Sequence, residues 1–325
     1  MIRTRLAPSL LIILLVCAAV VTLWRATMRE RATEADYPPE GHFVTVDGVK
    51  LHYVEAGKGP DLVLIHGASG SLRDLTFGFL PELARRYHVV AFDRPGMGWS
   101  DDAAEMDTLA AQARLIRRAS ERIGLRRPIV FGHSYGGGVA LAWAVDAPDS
   151  LSALALASPV SHPWDGGVDR LYHVTGHPIV GPAAVTAISA FVPTSYVTDQ
   201  TESVFLPQPA PSGYSEHFGP MMSARASALS ANAQQRLVLK ADVTEQSARY
   251  RAIAMPVEIV HGTSDRIVFA QVHSERLARD VPGAGLTLLP GIGHMPHHAA
   301  RAEVAAAIDR AAARAGQGPA ADPLQ

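Results

Sequence analysis

The hydrophobic pattern of the chain changes character three times. Leu6 to Trp24 is 19 residues without a charge, interrupted only by Pro8, Ser9 and Thr22. As a helix rising about 1.5 Å per residue it would be about 28 Å long, close to the hydrocarbon thickness of a bilayer. Thr33 to Glu40 is polar and proline-bearing and reads as a linker. Short apolar runs of strand length then take over. Phe43 to Val46 and Val49 to Val54 flank Asp47-Gly48, a hairpin signal. Leu62 to Ile65 is continuously apolar, as in a strand buried on both faces, and His88 to Phe92 is similar. Thr108 to Ile123 has helical spacing, Ile129 to Phe131 is a strand, Tyr135 to Val145 a helix and Leu151 to Ala157 another strand.

Regular alternation stops at Pro159. Up to Ala254 the chain has nine prolines and short helical patches, with helices expected over 171–190 and 223–238. Alternation resumes with a strand at Val257 to Val260, a helix at Val268 to Arg279, a strand at Leu286 to Leu289 and an Ala-rich helix at His298 to Arg314. Strands alternating with helices imply an α/β fold, a mostly parallel sheet covered on both faces. The expected organisation is a tail at 1–5, a transmembrane signal anchor at 6–24, a linker at 25–41, a core at 42–158 and 255–314, an insertion at 159–254 and a frayed tail at 315–325. No internal repeat is found.

Arginines bracket the apolar segment, Arg3 and Arg5 before it and Arg25, Arg29 and Arg31 after it, and Trp24 marks its far edge. Those flanks disfavour a buried core helix. Val16-Cys17-Ala18 is a tolerable signal-peptide site, but cleavage there would leave apolar Ala19 to Leu23 on the mature end. Val16 is bulkier than the residue expected before a lipidated Cys17. A single-pass membrane anchor is the reading that uses the whole stretch. The arginine counts nearly balance, and the short tail favours an extracytoplasmic domain.

Composition narrows the chemistry. Hydrophobic residues are 48% and charged residues 18%, which excludes a disordered chain. The net charge of −2, with no Lys/Arg cluster, gives no drive towards nucleic acid. The single cysteine, Cys17, excludes a disulfide framework, a Cys-based zinc site and a cysteine nucleophile in the globular part.

Gly132-His133-Ser134-Tyr135-Gly136 lies between a strand and a helix, the context that gives Gly-x-Ser-x-Gly its mechanism. The turn is sharp, the hydroxyl stands above the strand end, and the Tyr135 backbone N–H at a helix N-terminus can donate to an oxyanion. A serine hydroxyl needs a base, and the base an orienting acid. Asp265 follows the strand ending at Val260, and His294 follows the next strand on a glycine-rich loop. Ser134, Asp265 and His294 come in the chain order of this triad type.

With these motifs the chain resembles the α/β-hydrolase-fold superfamily, as a serine-nucleophile hydrolase with a lid insertion, over about residues 42–314. His66-Gly67-Ala68-Ser69-Gly70 resembles the loop after the family's third strand, and by that resemblance the Ala68 N–H is the second oxyanion donor. Asp93 to Ser100 matches the family's Asp-x-x-Gly-x-Gly-x-Ser turn, structural in relatives. Residues 159–254 occupy the lid's position. The resemblance implies a Ser-His-Asp acyl-enzyme mechanism on an ester, thioester, lactone or amide. It leaves open C–C hydrolysis of a diketone, a cofactor-free perhydrolase, and a non-catalytic ligand-binding module. It implies a small acyl substrate and no metal, nucleotide or flavin cofactor; the anchor and the aromatic residues of the insertion add the expectation that this substrate is apolar.

His66 and His133 read as packing and loop-orienting groups. His297 and His298 follow His294 without a carboxylate or Cys partner nearby in sequence, and read as a solvated helix start rather than a metal site. Asp165 is the rival triad acid but falls several residues late, and Asp280 reads as surface. Trp164, Tyr172, Phe191, Tyr196, Phe205, Tyr214 and Phe218 could line an acyl pocket or pack the insertion's own core, as could Met221 and Met222. Ser69 and Ser71 read as loop-capping residues.

Overall fold

The computed structural model describes residues 3–103 and 105–318, with side chains from Ser9 onward. It opens with one helix, α1 (Arg3–Asp36). The helix therefore includes residues 3–5, expected as a tail, and residues 25–36, expected as linker. From Leu10 to Trp24 its large apolar side chains are bare, Trp24 65% exposed. Beyond Trp24 the same helix is docked: Ala26 and Thr33 are buried.

The strands are β1 (His42–Val46), β2 (Val49–Ala56), β3 (Asp61–Ile65), β4 (His88–Phe92), β5 (Ile129–His133), β6 (Ala153–Ala157), β7 (Val257–Gly262) and β8 (Gly285–Leu289). They form one sheet in the order β1-β2-β4-β3-β5-β6-β7-β8. The β1–β2 and β2–β4 pairs are antiparallel and the rest parallel. Asp47 and Gly48 both take positive φ, 52° and 82°, as the two-residue hairpin turn requires. Because β3 lies between β4 and β5, the loops after β3 and β5 leave the sheet side by side, at its topological switch point. The register pairs Ile65 with Gly132, His133 with Ala157, and Gly262 with Leu289, so the strand ends form one rim.

Helices cover both faces. One carries α4 (Leu109–Arg122) and α5 (Tyr135–Asp146), with α11 (Ser274–Asp280). The other carries α2 (Leu72–Thr76), α3 (Phe79–Leu83) and α13 (Arg301–Arg314), preceded by the single turn α12 (Pro296–Ala299). Leu109, Ala113, Ile116 and Ala119 of α4 are buried at helical spacing.

Between β6 and β7 the lid holds α6 (Arg170–Thr175), α7 (Gly181–Phe191), α8 (Thr194–Ser203), α9 (Tyr214–Phe218) and α10 (Ala226–Ser247). The helix expected over 171–190 is two, α6 and α7, because Pro178 has no N–H to continue the first. The helix expected over 223–238 runs to Ser247, as α10, because Leu239, Val243 and Gln246 bury on past the polar stretch that hid them. The helix expected from Val268 begins only at Ser274. The Val268 N–H and C=O are engaged by Asp265 and His261 instead. Residues 319–325 of the expected tail lie outside the described residues.

Candidate active site

Ser134 joins β5 to α5 at φ 53°, ψ −116°, a conformation costly for a residue with a Cβ. Its neighbours fix it. Ser134 N–H donates to Ala157 O (3.0 Å), and Ser134 O accepts from Gly137 and Val160 N–H, both at 3.0 Å. The glycines follow from crowding: a Cβ on Gly132 would overlap the Gly136 carbonyl, and one on Gly136 would overlap the Ile65 and His66 carbonyls.

The structure brings Ser134, His294 and Asp265 together. His294 Nε2 lies 3.0 Å from Ser134 Oγ, and His294 Nδ1 2.7 Å from Asp265 Oδ2. With Nδ1–H donated to the carboxylate, Nε2 keeps its lone pair towards the serine hydroxyl, the tautomer a general base needs. Burial pushes the Asp265 pKa up. Hydrogen bonds from His261, His294 and the Val268 N–H outweigh it and hold the carboxyl well below its ordinary value. Its Oδ1 accepts from Ile267 (2.8 Å) and Val268 (2.9 Å) N–H. His261, one turn of chain before Asp265, faces its Oδ2 at 3.1 Å through Nε2. Sequence reading gave His261 no role. Asp165 is exposed, and Asp280 lies 3.0 Å from His162 Nε2, away from His294.

The loop after β3 passes directly over the elbow. A Cβ on Gly67 would stand 3.0 Å from His133 Nδ1 and 3.4 Å from Ser134 Cβ. Among the described residues, neither the Ala68 nor the Tyr135 N–H donates to a protein acceptor. The carbonyls of this loop are held from behind by Arg94, a residue sequence reading passed over as part of a turn. Its fully buried guanidinium donates to His66 O (3.1 Å) and Gly67 O (3.0 Å), and to Gln112 and Gln235 side-chain oxygens at 2.9 and 2.7 Å. It also stacks on the Tyr135 ring, 4.3 Å from its centre. Burial lowers the Arg94 pKa to about 10, which leaves it cationic behind the loop after β3 at neutral pH. His66 donates through Nδ1 to Gly67 O (2.8 Å) and accepts the Arg94 N–H at Nε2 (2.9 Å). Burial, then Arg94, lowers its pKa to about 4, so it is a neutral brace.

His297 and His298 are not solvated. Both are buried, and their carboxylate partner is Asp74 of α2, distant in sequence. His297 Nε2 is 3.1 Å from Asp74 Oδ2, His298 Nε2 is 2.8 Å from Oδ1, and Tyr214 OH donates to Oδ1 at 2.9 Å. No motif marks Asp74. It is found only by folding α2 against the histidine loop. His133 packs on the His297 ring (4.4 Å between centres) and donates through Nε2 to His294 O at 2.9 Å. Asp74, His133 and His297 each offer a metal-ligand atom within 4.8 Å of the others. The Asp74 oxygens are engaged by His297, His298 and Tyr214, so the cluster reads as a hydrogen-bonded brace under the histidine loop.

The lid closes over this rim. Ser134 is 7% and His294 5% exposed. Asn232 of α10 accepts the Ser69 N–H at 3.1 Å, and Ser223 donates to Ser69 O at 2.6 Å. Gln208 spans the histidine loop, donating to Gly291 O and accepting from Gly293 N–H, both at 2.9 Å. Ser71 caps α2 by accepting the Arg73 N–H at 3.3 Å. Of the lid aromatics, Phe205, Tyr214 and Phe218 pack with Met295 beside the catalytic loop, whereas Phe191 and Tyr196 are exposed.

The chain belongs to the α/β-hydrolase-fold family, whose model matches residues 60–299. It is 42% identical over 135 residues to a dihydrolipoyllysine-residue acetyltransferase component of the acetoin cleaving system of Cupriavidus necator, covering 41% of this chain and 36% of that protein. It thus spans about a third of that relative's length. It is 27% identical to a 2-hydroxymuconate semialdehyde hydrolase of a Pseudomonas species, covering 81% of this chain and 91% of the relative. A crystal structure described as a membrane phospholipase A superposes with a TM-score of 0.63 at 23% identity, over 97% of this chain and 100% of that one. That likeness concerns the fold.

Proposed function

We propose that the protein is a membrane-anchored serine hydrolase that cleaves a carboxylic ester-type bond through an acyl-enzyme. The observation that carries this is the unbroken chain from Ser134 Oγ to His294 (3.0 Å) to Asp265 (2.7 Å). Ser134 Oγ bonds to the carbonyl carbon as its proton passes to His294 Nε2. Asp265 stabilises the imidazolium. The Ala68 and Tyr135 N–H groups receive the oxyanion. Collapse breaks the bond to the leaving group, which takes the proton from His294. Water then releases the acid through the same base.

Anchoring rests on α1. Cleavage within Val16 to Ala18 would leave Val20, Val21, Leu23 and Trp24, each more than half exposed, without a partner. A retained spanning helix gives all of them lipid. The substrate is then a small acyl compound of apolar character, and nucleic acid is no partner.

Turnover of p-nitrophenyl esters by the full-length chain in detergent tests the reading, with Ser134→Ala alongside. Loss of turnover in the variant supports it; equal turnover overturns it. The likeness to a 2-hydroxymuconate semialdehyde hydrolase favours a second reading, C–C hydrolysis. A vinylogous diketone in the same assay separates the two.

A further inference from the structure

We infer that α7 of the lid is a second membrane-contact element, seated in the bilayer interface beside α1, and that the substrate is an acyl ester resident in that bilayer. The inference rests on the anchored-hydrolase reading above and names its substrate class.

From Ile179 to Val192 the chain has no charged residue. On α7, Ala183, Ala187 and Phe191 recur at i, i+4 and i+8 and are exposed, and Ile179 just before it is 81% exposed. The opposite side carries the buried Gly181, Val185 and Ser189, again at i, i+4 and i+8. A charge-free helix with one apolar face open is unusual on a water-exposed surface.

Its place in the molecule says what covers that face. The docked half of α1 grips the C-terminal end of α7. Arg25 Nε donates to Ala190 O (2.7 Å), and Arg29 donates to Ala190 O (3.0 Å) and Val192 O (2.9 Å). The Arg25 guanidinium also lies over the Phe191 ring, 5.5 Å from its centre. Phe191 is therefore at the level of Arg25, one residue beyond Trp24, where bare helix gives way to docked helix. In a spanning α1 this level is the headgroup region.

Two more contacts hold the rest of the lid to α1. Glu30 accepts the Ala226 N–H at the start of α10 (2.6 Å), and Glu34 pairs with Arg225 at 2.8 Å. Cations thus meet the C-terminus of α7 and a carboxylate meets the N-terminus of α10, each complementing a helix dipole. The lid cannot drift from the anchor without breaking these contacts. On its other side α10 reaches the loop after β3 through Asn232, and the Arg94 guanidinium behind that loop through Gln235. A lipid ester leaving the bilayer at α7 has one helix layer to cross before Ser134.

The test uses the full-length chain in phosphatidylcholine vesicles. Ala187→Cys, in a Cys17→Ser background, is labelled with a nitroxide, and collisions with oxygen and with a neutral nickel chelate are compared by electron paramagnetic resonance. Glu303→Cys, on the exposed side of α13, is the aqueous control. The inference expects oxygen to be favoured at residue 187 and nickel at residue 303. Ala183→Glu with Ala187→Glu is expected to lower turnover of a long-chain ester in vesicles about tenfold relative to a soluble short-chain ester. Nickel accessibility at 187 equal to that at 303, or an unchanged turnover ratio, overturns it. So does loss of both collision partners with spin–spin broadening, which would mean that a second copy covers the face. Loss of the hydrolase reading would show separately, as turnover surviving in Ser134→Ala while the accessibility result stands.

Discussion

The sheet core and the lid are stabilised from different distances. In the core, helix α4 starts at Thr108, whose own hydroxyl accepts the Ala111 N–H at 3.2 Å, and the elbow is set by glycines two residues either side of Ser134. In the lid, α10 starts at Arg225, which offers no side-chain cap; the cap comes from Glu30, near the other end of the chain. The C-terminal carbonyls of α7 are met by Arg25 and Arg29, and Tyr214 of α9 ends on Asp74 of the core. The core carries its instructions locally; the lid takes its own from α1 and from the floor of the site. Chemistry is therefore expected to fail at core positions with the fold intact, and lid order to fail at positions outside the lid.

The largest effect falls on the chemistry. Ser134→Ala should lower ester kcat by about 10³-fold or more with an unchanged melting curve, since the triad acts as a unit. Asp265→Asn should cost about 10²- to 10⁴-fold, because the amide no longer fixes the base tautomer of His294. A normal rate in either, measured beside circular dichroism, would remove these residues from the site.

Asp74→Ala is expected to act on stability. It leaves the His297, His298 and Tyr214 donors buried and unpaired, a loss of about 3–5 kcal/mol. Denaturant melts read it directly, and a shift under about 1 kcal/mol would mean that the brace is idle.

Acid sensitivity follows from buried neutral histidines. Burial lowers the pKa of His66 and His297 to about 4 and of His273 to about 3. The unfolded chain protonates them near 6.5. Between about pH 6.5 and 4 the unfolded state binds more protons, so stability is full above that window and falls as pH drops through it. Burial also lowers the pKa of His133, His162 and His217, and against these six histidines stand three carboxyls that burial raises, Asp107 (to about 6), Asp102 and Asp242, which work in the opposite direction. The melting temperature should decline from pH 7 to 4.5, and His297→Gln should flatten the slope. A flat profile in the parent chain would contradict the burial of these rings.

Glu30→Gln is the gentlest change, weakening the cap of α10 by about 1 kcal/mol. Hydrogen exchange should quicken in the first turn of α10 and stay unchanged in α5. Equal quickening in both would erase the contrast between lid and core.

That contrast also explains what could be read from sequence. The hairpin at Asp47-Gly48, the buried strands and the elbow at Ser134 each depend on residues within a few positions of one another. Asp265 and His294 are legible in the same way, each from the strand that directly precedes its loop. Asp74, by contrast, has no signature around it and gains its place only when α2 packs against the histidine loop, so His297 and His298 read as solvated. Arg94 looks like part of a turn until α10 and α4 bring Gln235 and Gln112 to it. The docked half of α1 looks like a polar linker, because Arg25 and Arg29 meet lid carbonyls and Glu30 and Glu34 meet the start of α10, partners distant in sequence.

The most direct test of the account is the intact mass of the full-length chain in detergent after exposure to a fluorophosphonate, beside Ser134→Ala and His294→Ala. The expected result is one adduct on the parent chain, none on Ser134→Ala and far slower labelling on His294→Ala. A well-folded parent chain that takes no adduct, or one labelled equally with Ser134 replaced, would contradict an activated serine at the elbow.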